Sequence, residues 1–174
     1  MLLGPVADEI AKQYCQQFDV TRYEGPEDYF KSVERLFLDC DIFFSAAAVL
    51  DFESVPSERK IERKALKEMS ELTIKIKAVP DIVAHFGKLK RPNQKVIAFA
   101  AESGTEVEIM DRAKAKMLAK MADAMIANPV WEGLGPDSDL NQVWVLRPGQ
   151  KTQMFGPARK SELTRPILEL LFGD

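Results

Sequence analysis

Three short apolar runs constrain the fold more than any other feature of this sequence. Residues 41–46 and 95–100 are nearly continuous in apolar character, and a shorter run follows at residues 124–127. Continuous runs of this length indicate strands that are buried on both faces, because a strand with one wet face alternates between apolar and polar residues. Helical patterns separate the runs, so the sequence predicts a mostly parallel sheet with crossover helices.

Four segments carry apolar residues at helical spacing. They are residues 26–38, a helix that Pro80 opens in its favoured first turn, a helix that Ser103 or Thr105 caps and that runs to about Met121, and residues 161–172. Strands and helices in this order predict an α/β fold with three layers, α/β/α, around a Rossmann-like sheet.

Two segments depart from this rhythm. Residues 71–77 alternate strictly between apolar and polar, which predicts a half-exposed strand at a sheet edge or at a subunit contact. Residues 142–146 and 152–155 flank Pro148 and Gly149, and this pattern is typical of a β-hairpin closed by a short turn.

Length and composition limit the classes of protein to which this chain can belong. With 174 residues, of which 46% are hydrophobic, the chain is predicted to form one domain over residues 1–174. The formal net charge of -3 gives no general attraction to nucleic acid or to anionic membranes. Two cysteines, no secretion signal and no apolar run near the roughly 18 residues that span a bilayer predict a cytoplasmic protein.

The start of the sequence is unusual for this architecture. Residues 1–3, followed by Gly4 and Pro5, look like the end of a strand, and no strand, glycine turn and helix come before them. The nearest approach to a phosphate-binding loop is the pair Gly133 and Gly135, which lacks a third glycine and a following helix. We therefore expect an N-terminally incomplete domain, without a dinucleotide-binding loop or a P-loop within these residues.

The stretch from the first apolar run to residue 64 carries the clearest chemical signal. The run leads into small residues, then Asp51, and then the basic segment 59–64. Open α/β sheets bind ligands at the carboxyl ends of their strands, and Lys and Arg side chains bind phosphate. This order of residues indicates a substrate that bears phosphate.

Several motifs occur in the order found in one family. They are residues 46–52, Lys60 with Ile61, residues 72–75 leading to residues 80–83, residues 99–102, and residues 113–116 with Lys120, Asp123 and residues 126–128. Together they resemble phosphopantothenoylcysteine synthetase, an enzyme that in bacteria is often fused to a flavin-dependent decarboxylase. The resemblance covers nearly the whole chain, but the family's glycine-rich opening segment is missing.

The resemblance implies a ligase of coenzyme A biosynthesis. In such an enzyme, the carboxylate of 4'-phosphopantothenate attacks the α-phosphate of CTP and releases pyrophosphate, and the amine of cysteine then displaces the nucleotide. It further implies Mg²⁺, CTP rather than ATP as co-substrate, no flavin in this chain, a homodimer, and a decarboxylase domain or partner. Nucleic acid and membranes are not expected as partners.

The same resemblance assigns site residues. Lys60 matches the catalytic lysine, which acts on the phosphates, and Phe99 matches the residue placed against the base. The remaining nucleotide-binding matches are Ala47, Asp51, Lys116 and Lys120, with Asp51 as the candidate for a metal ligand. Further candidate contacts are Arg63, Lys64, Lys77 and Asn128.

Each assignment has an ordinary structural alternative. Lys60 lies in a loop rich in Lys and Glu and is also read as a solvated charge. Phe99, in an apolar strand, is also read as core packing, and Lys116 and Lys120 complement the dipole of a helix C-terminus. At the level of function, the alternatives are a non-catalytic remnant that binds nucleotide or assembles with a partner, and an unrelated phosphate-binding module.

Overall fold

A computed structural model describes residues 2–3, 17–47, 49–56, 73–135 and 138–173 of the chain. The chain divides into two compact units. The first unit comprises Met1–Leu36 and Ala47–Asp81, and the second comprises Phe37–Ala46 and Ile82–Asp174.

The described residues form nine strands and four helices. The strands are β1 (Leu2–Leu3), β2 (Val20–Thr21), β3 (Ile42–Ser45), β4 (Phe52–Ser54), β5 (Ile76–Ala78), β6 (Lys95–Glu102), β7 (Ala124–Pro129), β8 (Leu140–Leu146) and β9 (Gln153–Arg159). The helices are α1 (Pro26–Phe37), α2 (Ile82–Leu89), α3 (Glu106–Ala119) and α4 (Lys160–Phe172). No helix in this part of the chain is long and apolar enough to cross a membrane.

The second unit is built on a five-stranded mixed sheet in the order β3-β6-β7-β8-β9. Strands β3, β6 and β7 run parallel, whereas β8 and β9 pair antiparallel, so the sheet is parallel only across its first three strands. The predicted C-terminal hairpin is confirmed. Its turn places Gly149 at φ 71°, and the Gln150 N–H donates to the Arg147 carbonyl at 3.2 Å.

Helices cover both faces of this sheet, which confirms the three-layer prediction. On one face, which we call the α4 face, Leu163 and Ile167 of α4 pack on a cluster that includes Ile97, Ile126 and Val145. The opposite face, which we call the α3 face, is covered by α2 and α3. There the rings of Phe37, Phe43 and Phe86 are in mutual contact, and α3 buries Ile109, Ala113 and Met117.

Close packing and charge fix the amino edge of the sheet. A Cβ added to Gly87 of α2 would lie 2.0 Å from the Lys120 carbonyl oxygen at the end of α3, so no side chain fits between these two helices. Asp123, just before β7, accepts from the Val96 N–H at 2.8 Å and from Lys90 Nζ at 2.7 Å. The chain therefore leaves α3 and enters β7 along one fixed path.

The first unit contains two small sheets. Strands β1 and β2 pair parallel, and β4 and β5 pair antiparallel with Glu53 opposite Lys77. The alternating segment predicted over residues 71–77 forms a strand only from Ile76 to Ala78, and all three side chains are exposed rather than half-buried. Residues 73–75 lie outside the strand, and residues 71 and 72 lie outside the described residues.

Candidate functional site

The N-terminus of α3 is capped by the side chains of its own first turn. Thr105, rather than Ser103, is the N-cap, and its hydroxyl accepts from the Glu108 N–H while Glu108 Oε2 accepts from the Thr105 N–H at 2.8 Å. These hydrogen bonds from the backbone and side chain of Thr105 lower the pKa of Glu108. The capping box therefore uses two backbone N–H groups of this helix end and places the Glu108 carboxylate there, which makes the end less favourable for an anion.

Cationic side chains surround Glu102, the last residue of β6. Lys116 Nζ lies 2.6 Å from Glu102 Oε1, and Arg112 Nε lies 2.9 Å from Oε2. The Glu102 side chain is only 9% exposed, whereas those of Arg112 and Lys116 are 43% and 49% exposed. We call these three residues the Glu102 cluster.

Two opposing effects act on the Glu102 carboxyl. Burial raises its pKa, since a carboxylate loses hydration, but hydrogen bonds and charge from Lys116 and Arg112 outweigh burial. The net result is a pKa below the ordinary value of 4.5. Glu102 is therefore ionised at neutral pH.

This shift predicts how stability depends on pH. A carboxyl whose pKa is lower in the folded state stabilises the fold fully above its unfolded pKa, and that contribution is lost as pH falls through the folded pKa. We expect the Tm difference between the wild-type protein and Glu102→Gln to be constant near neutral pH and to shrink below about pH 4. This Tm difference can be measured by thermal unfolding, followed by circular dichroism, at pH values from about 3 to 8, a range that includes the ordinary pKa of Glu. A difference that grows on acidification would contradict the lowered pKa.

Phe99 is not a core residue. The residue is 42% exposed in strand β6, so the core-packing alternative is wrong for this side chain. Phe99 pairs with Ile126 of β7, and Ala101 pairs with Asn128. Because strand residues two apart point to one face, Phe99 and Asn128 lie on the α4 face at the carboxyl ends of adjacent strands.

Asn128 lies on this face and is buried, with only 7% of the residue exposed. Its side-chain amide can both donate and accept hydrogen bonds. An exposed aromatic ring close to such an amide can hold a flat heteroaromatic group.

The two lysines of α3 occupy different places. Lys116 belongs to the Glu102 cluster on the α3 face, whereas Lys120 is the C-cap of the helix and lies towards the amino edge. Phe99 is on the opposite face of the sheet from both. The structure therefore brings Phe99 together with Asn128, and Lys116 with Arg112, but does not gather Phe99, Lys116 and Lys120 into one cluster.

The first unit carries the other predicted contacts. Ala47 is half-buried, and Asp51 has an exposed side chain while its carbonyl accepts from the Val79 N–H at 2.9 Å. Lys77 Nζ lies 2.8 Å from Glu53 Oε1, so its charge is already paired. Lys60, Arg63 and Lys64 lie outside the described residues.

A cavity of about 470 Å³ opens in the first unit, at the start of α1. Its charged lining consists of Glu27, Asp28, Glu53, Lys31 and Lys77. The acids outnumber the lysines, and the lysines pair with them at 2.7 and 2.8 Å. The described residues of its lining therefore offer no excess positive charge to a triphosphate.

Metal binding in this part of the chain would depend on few protein ligands. Over the described ranges, no group of three or more His, Cys, Asp or Glu residues could hold a metal ion. Mg²⁺ needs no such group, because it keeps several waters and binds through one or two carboxylates together with substrate phosphates. The exposed carboxylate of Asp51 fits that mode, and its role as a metal ligand stays a prediction.

The sequence did not predict that Glu102, Arg112 and Lys116 contact one another. It identified Lys116 through the family motif, but it did not connect Lys116 with Glu102. Glu102 lies 14 residues before Lys116, across a turn between strand and helix, and no periodicity links such positions. The motif at residues 99–102 contained the acid, but only the fold shows what it contacts.

Comparison with known proteins identifies the family. The model of the DNA/pantothenate metabolism flavoprotein C-terminal domain matches residues 3–173. The chain belongs to this family. Membership in the DNA/pantothenate metabolism flavoprotein C-terminal domain family confirms the resemblance to the synthetase family that the sequence motifs indicated.

Curated relatives of this family domain are longer proteins. The chain is 30% identical over 170 residues to a "Cysteine/Cysteine sulfinic acid decarboxylase" from an unknown prokaryotic organism, covering 97% of this chain and 45% of that protein. It is 31% identical over 154 residues to the "Coenzyme A biosynthesis bifunctional protein CoaBC" of Borreliella burgdorferi, covering 88% of this chain and 37% of that protein. The chain thus spans less than half the length of these relatives.

Solved structures share the fold. The DNA/pantothenate metabolism flavoprotein of Streptococcus pneumoniae superimposes with a TM-score of 0.68 at 17% identity, covering 87% of this chain and 71% of that one. A Cab2 mutant in complex with phosphopantothenate-cysteine gives a TM-score of 0.64 at 16% identity, covering 94% of this chain and 54% of that one. At such identities the similarity concerns the fold alone.

Proposed function

We propose that the chain acts as a ligase of coenzyme A biosynthesis, joining 4'-phosphopantothenate to cysteine with CTP as the co-substrate. The observation that carries this proposal is the family match over residues 3–173, together with relatives named as bifunctional proteins of coenzyme A biosynthesis. A structural neighbour with phosphopantothenate-cysteine bound supports the choice of substrates.

The chemistry has two steps. A carboxylate oxygen of phosphopantothenate attacks the α-phosphorus of CTP, and the bond to the pyrophosphate oxygen breaks, which leaves an acyl-cytidylate. The cysteine amine then attacks the acyl carbon, loses a proton and expels CMP. Several anionic groups must meet in the first step, so cations have to neutralise the charge that develops on the phosphates.

The described residues supply two parts of such a site. Phe99 and Asn128 would hold the base, by stacking and by hydrogen bonds from the amide. Lys116 would meet the phosphates, with Lys120 as a weaker candidate because it lies towards the amino edge.

The remaining roles fall to the segment that follows β3. Lys60 would act on the phosphates in the first step, with Arg63, Lys64 and Lys77 as further contacts. Ala47 permits close approach of the backbone to the nucleotide. Asp51 would hold Mg²⁺, which neutralises phosphate charge when bound.

Partners are proposed on two grounds. Phe52, Ile74 and Ile76 are 51%, 60% and 60% exposed in the first unit, and apolar surface around a two-stranded sheet suits a homodimer contact. One longer relative is named as a decarboxylase and another as a bifunctional protein, which favours a decarboxylase domain or partner. We also propose a place in the cytoplasm.

A coupled assay tests the function. We expect the purified protein to release pyrophosphate only when phosphopantothenate is present, and to form the amide product only when cysteine is added. Release from CTP should exceed release from ATP by about tenfold or more, a difference of about 1.4 kcal/mol. Binding of CTP without any release of pyrophosphate would contradict the ligase and favour the non-catalytic alternative.

A further inference from the structure

The Glu102 cluster holds more positive charge than its carboxylate neutralises. One carboxylate faces both the guanidinium of Arg112 and the ammonium of Lys116, so these three side chains together carry one net positive charge, and the Glu108 carboxylate also attracts Arg112. The two cationic side chains are 43% and 49% exposed, while the acid is 9% exposed. The two cationic groups are therefore accessible to solvent at the carboxyl edge of β6, whereas the Glu102 carboxylate is not.

Glu102 determines where that charge lies. It uses a different oxygen for each cation, at 2.6 Å for Lys116 and 2.9 Å for Arg112. A long cationic side chain that is already held loses less freedom when an anion arrives than one that samples many rotamers.

The loop after β6 reinforces this arrangement. Arg112 Nη2 donates to the Ser103 carbonyl, and Trp131 Nε1 donates to the Gly104 carbonyl at 2.9 Å. Gly104 has φ 112°, and a Cβ there would lie 3.2 Å from Arg112 Nη2 and 2.8 Å from Glu108 Oε2. The backbone at Gly104 thus leaves room for the guanidinium beside Glu102.

Both cations keep donors for a ligand. An ammonium and a guanidinium have more N–H groups than these contacts use, and the guanidinium presents its donors as a planar fork. Two adjacent cations with spare donors suit a group with several charged oxygens, for which phosphate is the common biological example. A carboxylate ligand would use fewer of them.

We propose that Glu102 is a positioning residue that holds Lys116 and Arg112 as a paired clamp for a phosphate group of a substrate, which makes Arg112 a phosphate ligand in addition to Lys116. The inference rests on the proposed function for the identity of the substrates. CTP and phosphopantothenate both bring phosphate, so the test treats them separately.

Calorimetric titration of the protein with CTP, and separately with phosphopantothenate, measures the Kd of each ligand without requiring turnover. In Glu102→Gln we expect the Kd of one of these two ligands to rise about tenfold, and the ligand affected identifies the source of the phosphate. Arg112→Ala and Lys116→Ala should each weaken the same ligand. In the Arg112→Ala/Lys116→Ala double variant, adding Glu102→Gln should cause no further loss, because there is nothing left to position.

Asp123→Asn is the matched control. Asp123 also pairs with two lysines, Lys90 at 2.7 Å and Lys95 at 3.8 Å, but at the amino edge of the sheet. This variant should lower the Tm and leave both Kd values unchanged. An equal loss of binding in Asp123→Asn would show that Glu102→Gln acts through general stability, and would overturn the clamp.

Three other results are decisive. If Glu102→Gln binds both ligands as tightly as the wild-type protein or more tightly, the carboxylate only neutralises its neighbours and the inference is wrong. A wild-type protein that binds neither ligand also overturns it. A wild-type protein that binds CTP but never releases pyrophosphate, with binding weakened in Glu102→Gln, refutes the ligase and leaves the clamp standing.

Discussion

Replacing Lys60 with Gln should lower pyrophosphate release from CTP by about a hundred- to a thousandfold, while cysteine and phosphopantothenate are saturating. The physical reason is the charge that develops when the phosphopantothenate carboxylate attacks the α-phosphate. A cation that contacts the phosphates stabilises this transition state more than the ground state, so its loss should lower kcat more than it raises KM. The measurement is continuous detection of pyrophosphate with wild-type and variant protein.

Two further variants test whether the effect depends on the charge at residue 60 and on the location of the lysine that is removed. Lys60→Arg keeps the charge and should retain more activity than Lys60→Gln if electrostatics dominates. Lys114→Gln removes a lysine from the exposed face of α3 and should leave kcat unchanged. Wild-type turnover in Lys60→Gln would remove Lys60 from the mechanism.

Phe99→Ala should raise the KM for CTP roughly ten- to a hundredfold, with a smaller change in kcat. Stacking of a base on an aromatic ring contributes about 1–3 kcal/mol per base, and Phe99 is 42% exposed on the same face of the sheet as Asn128. The cost in folding stability should be modest, because the ring is not enclosed by the core. Initial rates over a range of CTP concentrations provide KM and kcat, and thermal unfolding provides Tm.

Phe44→Ala is the control for this ring. Phe44 lies on the same face of the sheet, is 38% exposed, and contacts Phe172 of α4 with ring centroids 6.0 Å apart. Its loss should lower the Tm without changing the KM for CTP. If Phe99→Ala behaves as Phe44→Ala does, Phe99 has no role in binding the nucleotide.

The fold was largely predictable because hydrophobic runs and turn residues are local signals. The apolar runs that became β3, β6 and β7, the Pro148-Gly149 turn and Thr105 as a helix cap all follow from short windows of sequence. The antiparallel pairing of β7 with β8 was less predictable, since the direction of pairing depends on which strands meet. The prediction of a half-exposed strand over residues 71–77 was wrong for the described residues before Ile76, because strict alternation does not guarantee a strand with a buried face.

The candidate site was predictable only in part, and for a physical reason. Motifs pointed to Phe99 and Lys116, but side-chain exposure is decided by tertiary packing. The exposure of a Phe in a strand that was predicted to be buried on both faces therefore could not be recognised from sequence. The contacts of Glu102 join residues from a strand and the following helix, and they depend on the path of the intervening loop. Roles for Ala47, Asp51 and Lys60 remain predictions.

The order of strands also bears on how the second unit folds. From β6 to β9, each strand pairs with the next one in the chain, so these pairings close shorter segments, at lower entropic cost, than the pairing of β3 with β6 does. Strand β3 is the exception, since it pairs with β6 across the whole segment from Ala46 to Gln94. The strand that leads to Ala47 and Asp51 thus depends on the most distant pairing in the sheet, and we expect β3 to join after the other four strands have formed.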